Sequence, residues 1–224
     1  MTGKRQQRRT LLQRASLGAL LSGGGITSLL AGVLAADQAS IKPGMRRVSG
    51  QVSINGAPAR EDMLIGSGDS VVTGPTAEAI YVVGQDAFLQ RGGSRVSFGE
   101  RAATGVLRVV TGRLLSVFGG GERSIVTPTA AIGIRGTGCY IEAAAERVYF
   151  CLCYGEAELT PTAAPQERET IRAKHHDKPL YIYADMKMPK MAVPAEVINH
   201  RDKELEMLEA LVGRHPPFEK SGDY

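Results

Sequence analysis

Hydrophobic residues between Val48 and Lys174 come in short bursts, each closed by glycine, asparagine or proline. The bursts read as strands at Val48–Ile54, Ser70–Thr73, Ala77–Val83, Ala87–Gln90, Arg95–Phe98, Val106–Val110, Arg113–Phe118, Ser124–Val126, Gly138–Glu142, Val148–Tyr154 and Thr170–Ala173. Alternation is plain in Val52-Ser53-Ile54 and Ile171-Arg172-Ala173, and turn signals such as Asn55-Gly56, Gly92-Gly93 and Thr127-Pro128 separate the bursts. Short strands at regular spacing predict an all-β fold: a sandwich, barrel or β-roll, among which periodicity does not choose. The end of the chain changes period. Leu205, Leu208, Leu211 and Val212 share one helical face, Asn199 stands as N-cap with Asp202 three residues on, and Gly213 before Pro216-Pro217 supplies the stop. An amphipathic helix over about Arg201–Val212 is therefore expected to lay its leucines on the β body. The stretch Tyr181–Pro194 carries no assignable pattern.

Charge is unevenly distributed. Of 27 Lys and Arg, five (Lys4, Arg5, Arg8, Arg9, Arg14) lie in residues 1–36 with no acid, leaving 22 basic against 23 acidic residues in the remainder. A neutral body lacks the clustered cations that nucleic-acid phosphates require, so that class of partner is excluded. After Arg14 the 22 residues Ala15–Ala36 are uncharged and rich in Leu and Gly. Basic, then apolar, then small is the order of an export signal, with cleavage after Ala35 or Ala36. Gln7-Arg8-Arg9-Thr10-Leu11-Leu12-Gln13 resembles a twin-arginine signal, with Gln13 where a Lys is common. Left uncleaved, the run is long enough for a helix of about 33 Å, a membrane anchor facing the periplasm. The expectation is a periplasmic protein of a bacterial envelope, touching the membrane only through its leader.

The segments Gly66-Ser-Gly-Asp-Ser-Val-Val-Thr-Gly74, Thr127-Pro-Thr129, Gly133-Ile-Arg-Gly-Thr137 and Tyr149-Phe-Cys-Leu-Cys-Tyr-Gly155 resemble those of the FecR domain family. The resemblance covers residues 48–159, and residues 160–224 form an extension beyond it. It implies a periplasmic β-rich module of the kind found in signal-relaying regulators. With only Met1–Arg14 ahead of the apolar run, and Gly84-Gln85-Asp86 in place of the family's acidic-Gly-Ser turn, it does not imply their cytoplasmic anti-sigma segment. Gly68, Asp69, Thr73, Gly74, Thr127, Pro128, Arg135, Gly136 and Thr137 read as architectural: glycines at backbone corners, Pro128 ending a strand, and Arg135 pairing with a carboxylate such as Asp69.

Candidate chemistry resides in cysteine and histidine. A hairpin centred on residue 145 pairs Cys139 with Cys151 and sets Cys153 on the diagonal, so that three sulfurs share one face; a slip of one residue separates Cys139 from the others. Three readings remain: buried small apolar residues, a Cys139–Cys151 disulfide, or a thiolate metal site completed by histidine. His175, His176 and His200 stand beside Asp177 and Asp202 as possible ligands, although adjacent histidines on a strand point to opposite faces. No HExxH, CxxC or GxSxG motif is present, so no enzyme is expected and no cofactor beyond a possible transition metal. Two functions follow: a non-catalytic binding or sensing module that recognises an envelope protein or cell-wall polymer, or a metal-binding or redox-active periplasmic protein built on the Cys/His cluster.

Overall fold

The computed structural model describes residues 41–99, 105–185 and 189–218. The leader over residues 1–36 lies outside the described residues. Among those described, no helix is long and apolar enough to cross a membrane.

Among the described residues the chain is mostly β, with one short α-helix and a single 3-10 turn at Pro165–Glu167. Its strands are β1 (Gly44–Ser49), β2 (Val52–Ile54), β3 (Ala57–Pro58), β4 (Ser70–Thr73), β5 (Glu78–Val83), β6 (Asp86–Gln90) and β7 (Arg95–Phe98). They continue with β8 (Val106–Val117), β9 (Glu122–Val126), β10 (Ala130–Ala143), β11 (Arg147–Pro161), β12 (Glu169–Ala173), β13 (Leu180–Tyr183) and β14 (Ala192–Pro194), and α1 (Asp202–Leu211) follows. All fourteen join one sheet, antiparallel except for the β8–β9 pair. Its main path runs from β14 to β3 without closing, which excludes the barrel. Strands from both ends of that path nevertheless share one core: Val52, Val71, Tyr81, Phe88, Leu114, Ile125, Ile141, Phe150, Leu152 and Ile182 belong to a single buried cluster. An open sheet can enclose one core in this way only by rolling on itself.

Period two explains the second layer. In β5, β6, β8, β10 and β11 the residues between those inner ones (Ile80, Val82, Leu89, Leu115, Tyr140, Tyr149, Cys151, Cys153) form a second buried cluster on the outer face. Leu205, Leu208 and Val212 cover it from α1 and its end. Strands buried on both faces read as unbroken apolar runs, as in Val148–Tyr154, while one-sided strands alternate.

Several boundaries differ from the sequence reading. Val48–Ile54 is two strands broken at Gly50, whose φ is +74°. Val106–Val110 and Arg113–Phe118 are one strand, bulged near Val110 and bent at Gly112, where φ is +90°. Tyr181–Pro194 holds β14 and most of β13, short strands added outward from the edge of β11, β13 on β11 and β14 on β13, with no sequence period to mark them. The sheet also continues past residue 159 through β12 and β13, so the extension shares the fold of the body. Arg201, not Asn199, is the helix N-cap; Asn199 is left-handed (φ +57°) and donates from Nδ2 to Glu142.

Most of the motif residues occupy turns or make backbone contacts, and one expected pairing is corrected. Gly68 has φ +87° and Gly136 φ +56°, whereas Gly74 uses an ordinary backbone and offers its carbonyl to Gly93 and Ala77. Thr73 Oγ1 donates to the Arg91 carbonyl (2.6 Å), and the Thr127 hydroxyl closes the turn across Pro128 onto Ala130. The Thr137 carbonyl accepts from Phe118 N. Asp69 accepts from Asn55 Nδ2 and Gly66 N, not from Arg135. Arg135 sits on the exposed side of β10, so its guanidinium needs no buried partner.

Candidate metal centre

Cys151 and Cys153 are two residues apart on β11 and both point to the outer face, where neither has any exposed surface. Their placement depends on a bulge. Gly138 pairs with Tyr154 and Cys139 with Leu152, so Cys153 is the extra residue on β11, and Tyr140 stands opposite Cys151. Bulges re-aim side chains without ending a strand. Here the Cys153 carbonyl accepts the backbone N–H of His176 (2.9 Å), fastening the turn after β12 beside the cysteines.

That turn is tight. Asp177 accepts from the backbone N–H groups of Lys174 (2.5 Å) and His175 (3.3 Å), and these bonds hold its carboxyl below the usual range. His176 is left-handed, with φ +53°. The chain is therefore not a strand at this point, and both imidazoles reach the same carboxylate. His175 Nε2 lies 2.9 Å from Asp202 Oδ2, and His176 Nε2 lies 3.0 Å from Asp202 Oδ1. Asp202 is the first residue of α1 and only 2% exposed; a carboxylate suits the positive end of a helix.

His200 arrives from the segment between β14 and α1. Tyr149 secures that segment: its hydroxyl donates to the Glu196 carbonyl (2.9 Å) and accepts from Ile198 N (3.3 Å). The His200 ring stacks on Tyr140 at 4.6 Å between centroids.

Four donor atoms converge. Cys151 Sγ, Cys153 Sγ and one nitrogen each of His176 and His200 lie within 4.8 Å of one another, all on buried residues. His176 Nδ1 is 3.5 Å from Cys151 Sγ and 3.0 Å from His200 Nε2. Zinc bonds of about 2.3 Å to sulfur and about 2.0 Å to nitrogen set tetrahedral edges of about 3.5 Å for S–N and about 3.3 Å for N–N. The donor set and its size thus fit one tetrahedral ion. A two-iron cluster would hold its thiolate and imidazole pairs on separate irons and needs a wider gap between them.

The imidazole tautomers carry the argument further. The Ile198 carbonyl only accepts, so His200 Nδ1, 2.7 Å away, carries the proton and Nε2 presents a lone pair. The Asp202 carboxylate likewise takes the proton of His176 Nε2, leaving a lone pair on Nδ1. Two lone pairs 3.0 Å apart repel unless a cation stands between them. Outward bonds from ligating imidazoles to a carboxylate and a carbonyl are the usual orienting contacts of metal-bound histidine.

Protons alone would charge the site in the same sense. The Cys153 thiol, against burial and with help from His176 and His200, holds the Cys151 thiol down to about 3. Burial opposes a proton on His176, but the Cys151 thiolate and Asp202 outweigh it and raise its pKa. Cys153 is pushed well up by burial and by its neighbour Cys151. Cys151, His176 and Asp202 also stand in the order of a nucleophile triad, yet a substrate has no path to a sulfur with no exposed surface.

The sequence-predicted residues divide accordingly. Cys151, Cys153, His176 and His200 come together. Cys139 does not: the one-residue register shift turns it inward, into the core of the roll, where burial pushes its thiol up to about 12. A shared face for three sulfurs is thereby corrected, and no cysteine is in a disulfide. His175 touches Asp202 rather than the tetrad. Asp202, which the sequence places beside His200 in a His-x-Asp cluster, bonds to His175 and His176 and lies outside the tetrad.

No family model matches the chain, and no curated protein matches it. Two crystal structures of a provisionally assigned anti-sigma factor from Parabacteroides distasonis are similar in part. One, at 2.50 Å resolution, has a TM-score of 0.47 at 7% identity, covering 57% of this chain and 59% of that one. The other, at 1.65 Å, has a TM-score of 0.48 at 8% identity, covering 62% and 64%. The chain thus spans about three fifths of the length of those structures.

Proposed function

We propose that this chain is a non-catalytic binding or sensing protein of the bacterial envelope that holds one zinc ion through Cys151, Cys153, His176 and His200. The observation that carries the metal reading is the convergence of His176 Nδ1 and His200 Nε2, 3.0 Å apart, on two buried sulfurs, with each ring's other nitrogen held by an outward acceptor. Mixed sulfur and nitrogen donors in a tetrahedron favour zinc over magnesium, calcium or manganese, which take oxygen. Four protein donors close the coordination sphere, which is the pattern of structural rather than catalytic zinc. Two thiolates neutralise the ion, so the buried charge left to balance is that of Asp202. The leader supports export, and the FecR-like segments support a role for the β-roll in recognising a protein or polymer of the envelope.

Metal analysis of the purified full chain tests the metal reading. One zinc per chain is expected, with replacement by Co2+ giving thiolate-to-cobalt charge-transfer absorption. Cys151→Ser and His200→Ala should each lose the ion, whereas Cys139→Ala should keep it. Protein that arrives without metal and takes up none under reducing conditions would overturn the reading.

A further inference from the structure

Three of the four donors belong to the sheet. Cys151 and Cys153 lie on β11, and His176 is held to that strand by its backbone bond to the Cys153 carbonyl. His200 alone comes from the segment that follows β14 and leads into α1. Resting on the zinc reading, we propose that the ion is a latch whose occupancy determines whether residues 195–218 stay docked on the outer face of the sheet.

The segment's other holds on the sheet are hydrogen bonds, ion pairs and apolar contacts, among them the Tyr149 hydroxyl on Glu196 and Ile198 and Arg214 on the Gln85 carbonyl. α1 has ten residues, and isolated helices shorter than about 12–15 residues are marginal in water. Its apolar anchors are Leu205, Leu208 and Val212. Against them stand two nearly fully buried carboxylates, Asp202 and Glu209. Glu209 is compensated without the ion, by Arg214 Nε (2.6 Å) from its own segment and by the Tyr154 hydroxyl from β11. Asp202 is linked to the metal centre through His176, a proposed zinc ligand, and is also bonded to His175, which is not one. Other ties near the start of the helix are the partly buried Arg91–Glu204 pair, with Nη2 2.8 Å from both carboxylate oxygens, and the Asn199 amide on Glu142. Without the ion, the facing lone pairs of His176 and His200 either repel or trap a proton, and the only covalent-strength link between segment and sheet is gone. The face that α1 leaves includes Val82, Leu89, Leu115 and Val117.

Amide hydrogen exchange on the full chain tests this, comparing zinc-loaded protein with protein stripped by a chelator under reducing conditions. Exchange over α1 should speed up by about tenfold or more on stripping, as for a locally opening unit, while β5 to β8 keep their protection. Added Zn2+ should restore it. His200→Ala should resemble the stripped state, because it removes the segment's donor and leaves the sheet's three in place. Stoichiometric zinc with unchanged protection of α1 would overturn the latch and leave the metal centre standing. Loss of protection in α1 and in β5 to β8 together would also overturn it, since the ion would then hold the whole fold. Failure of the chain to bind Zn2+ at all would remove both readings.

Discussion

At the scale of single residues, the site separates groups that bind from groups that aim. Asp202 touches no predicted ligand position except through an imidazole, yet it fixes which nitrogen of His176 faces the sulfurs. Asp202→Asn keeps the shape but weakens the acceptor, so zinc affinity should fall by about 10–100-fold while stoichiometry stays at one. Competition against a chelator of known affinity measures this. Cys139 offers the opposite case. It is as buried as Cys151 but lies in the inner core. Cys139→Ala should cost roughly 1 kcal/mol of stability by urea unfolding, the scale of one small buried group, and leave zinc content unchanged. If Cys139→Ala loses zinc, the division of the cysteines between two faces is wrong.

Among the elements, the β10–β11 hairpin determines whether a site exists. A side chain on Gly138 would lie 2.4 Å from the Tyr154 ring, so glycine there lets Tyr154 pack across the strand and reach Glu209. Gly138→Ala should therefore destabilise by about 1–3 kcal/mol and loosen α1, as overpacking does. Gly133→Ala, on the same strand, meets only the Glu158 side chain at 3.8 Å and backbone at 4.0 Å, and should stay within about 0.5 kcal/mol. Urea midpoints of the two variants check the contrast. The same hairpin marks what the sequence could convey. The unbroken apolar run at Val148–Tyr154, the leucine pair and Val-Phe of Arg113–Phe118, and the Asn55-Gly56 turn with φ of +52° and +84°, announced strands and corners. The register of Cys139 was not legible, because a symmetric hairpin cannot foresee a bulge that a tyrosine ring imposes from the partner strand. The meeting of His175 and His176 on one carboxylate was equally hidden. It needs a left-handed backbone at His176, and alternation assumes an extended one. The donors themselves were visible as residue types, but His176 lies 25 residues from Cys151 and 24 from His200, and only the sheet brings them together.

For the whole molecule, the proposed zinc would link pH to metal occupancy and so to the packing of the two layers. In protein stripped of metal, the lowered Cys151 pKa adds stability that is present above the unfolded thiol value and lost as pH falls through about 3. The raised His176 pKa acts in the other direction: its contribution is full below 6.5 and lost as pH climbs through the raised value. Zinc needs both thiolates and a neutral His176. Cys151 is already a thiolate near neutral pH, and Cys153, raised well above 9.0, always gives up a proton on binding. His176 gives up a second only below its raised pKa. The logarithm of zinc affinity should then rise with pH by about two per unit on the acid side and by about one on the alkaline side, with the break at the His176 pKa. Indicator competition across roughly pH 5.5–8.5 would reveal the break, in the range where histidine titrates. Asp202→Asn removes a charge that favours the His176 proton and should move the break to lower pH. A uniform slope of one in the wild-type protein would mean that His176 is neutral before zinc arrives, and that the buried thiolate has found its compensating charge elsewhere.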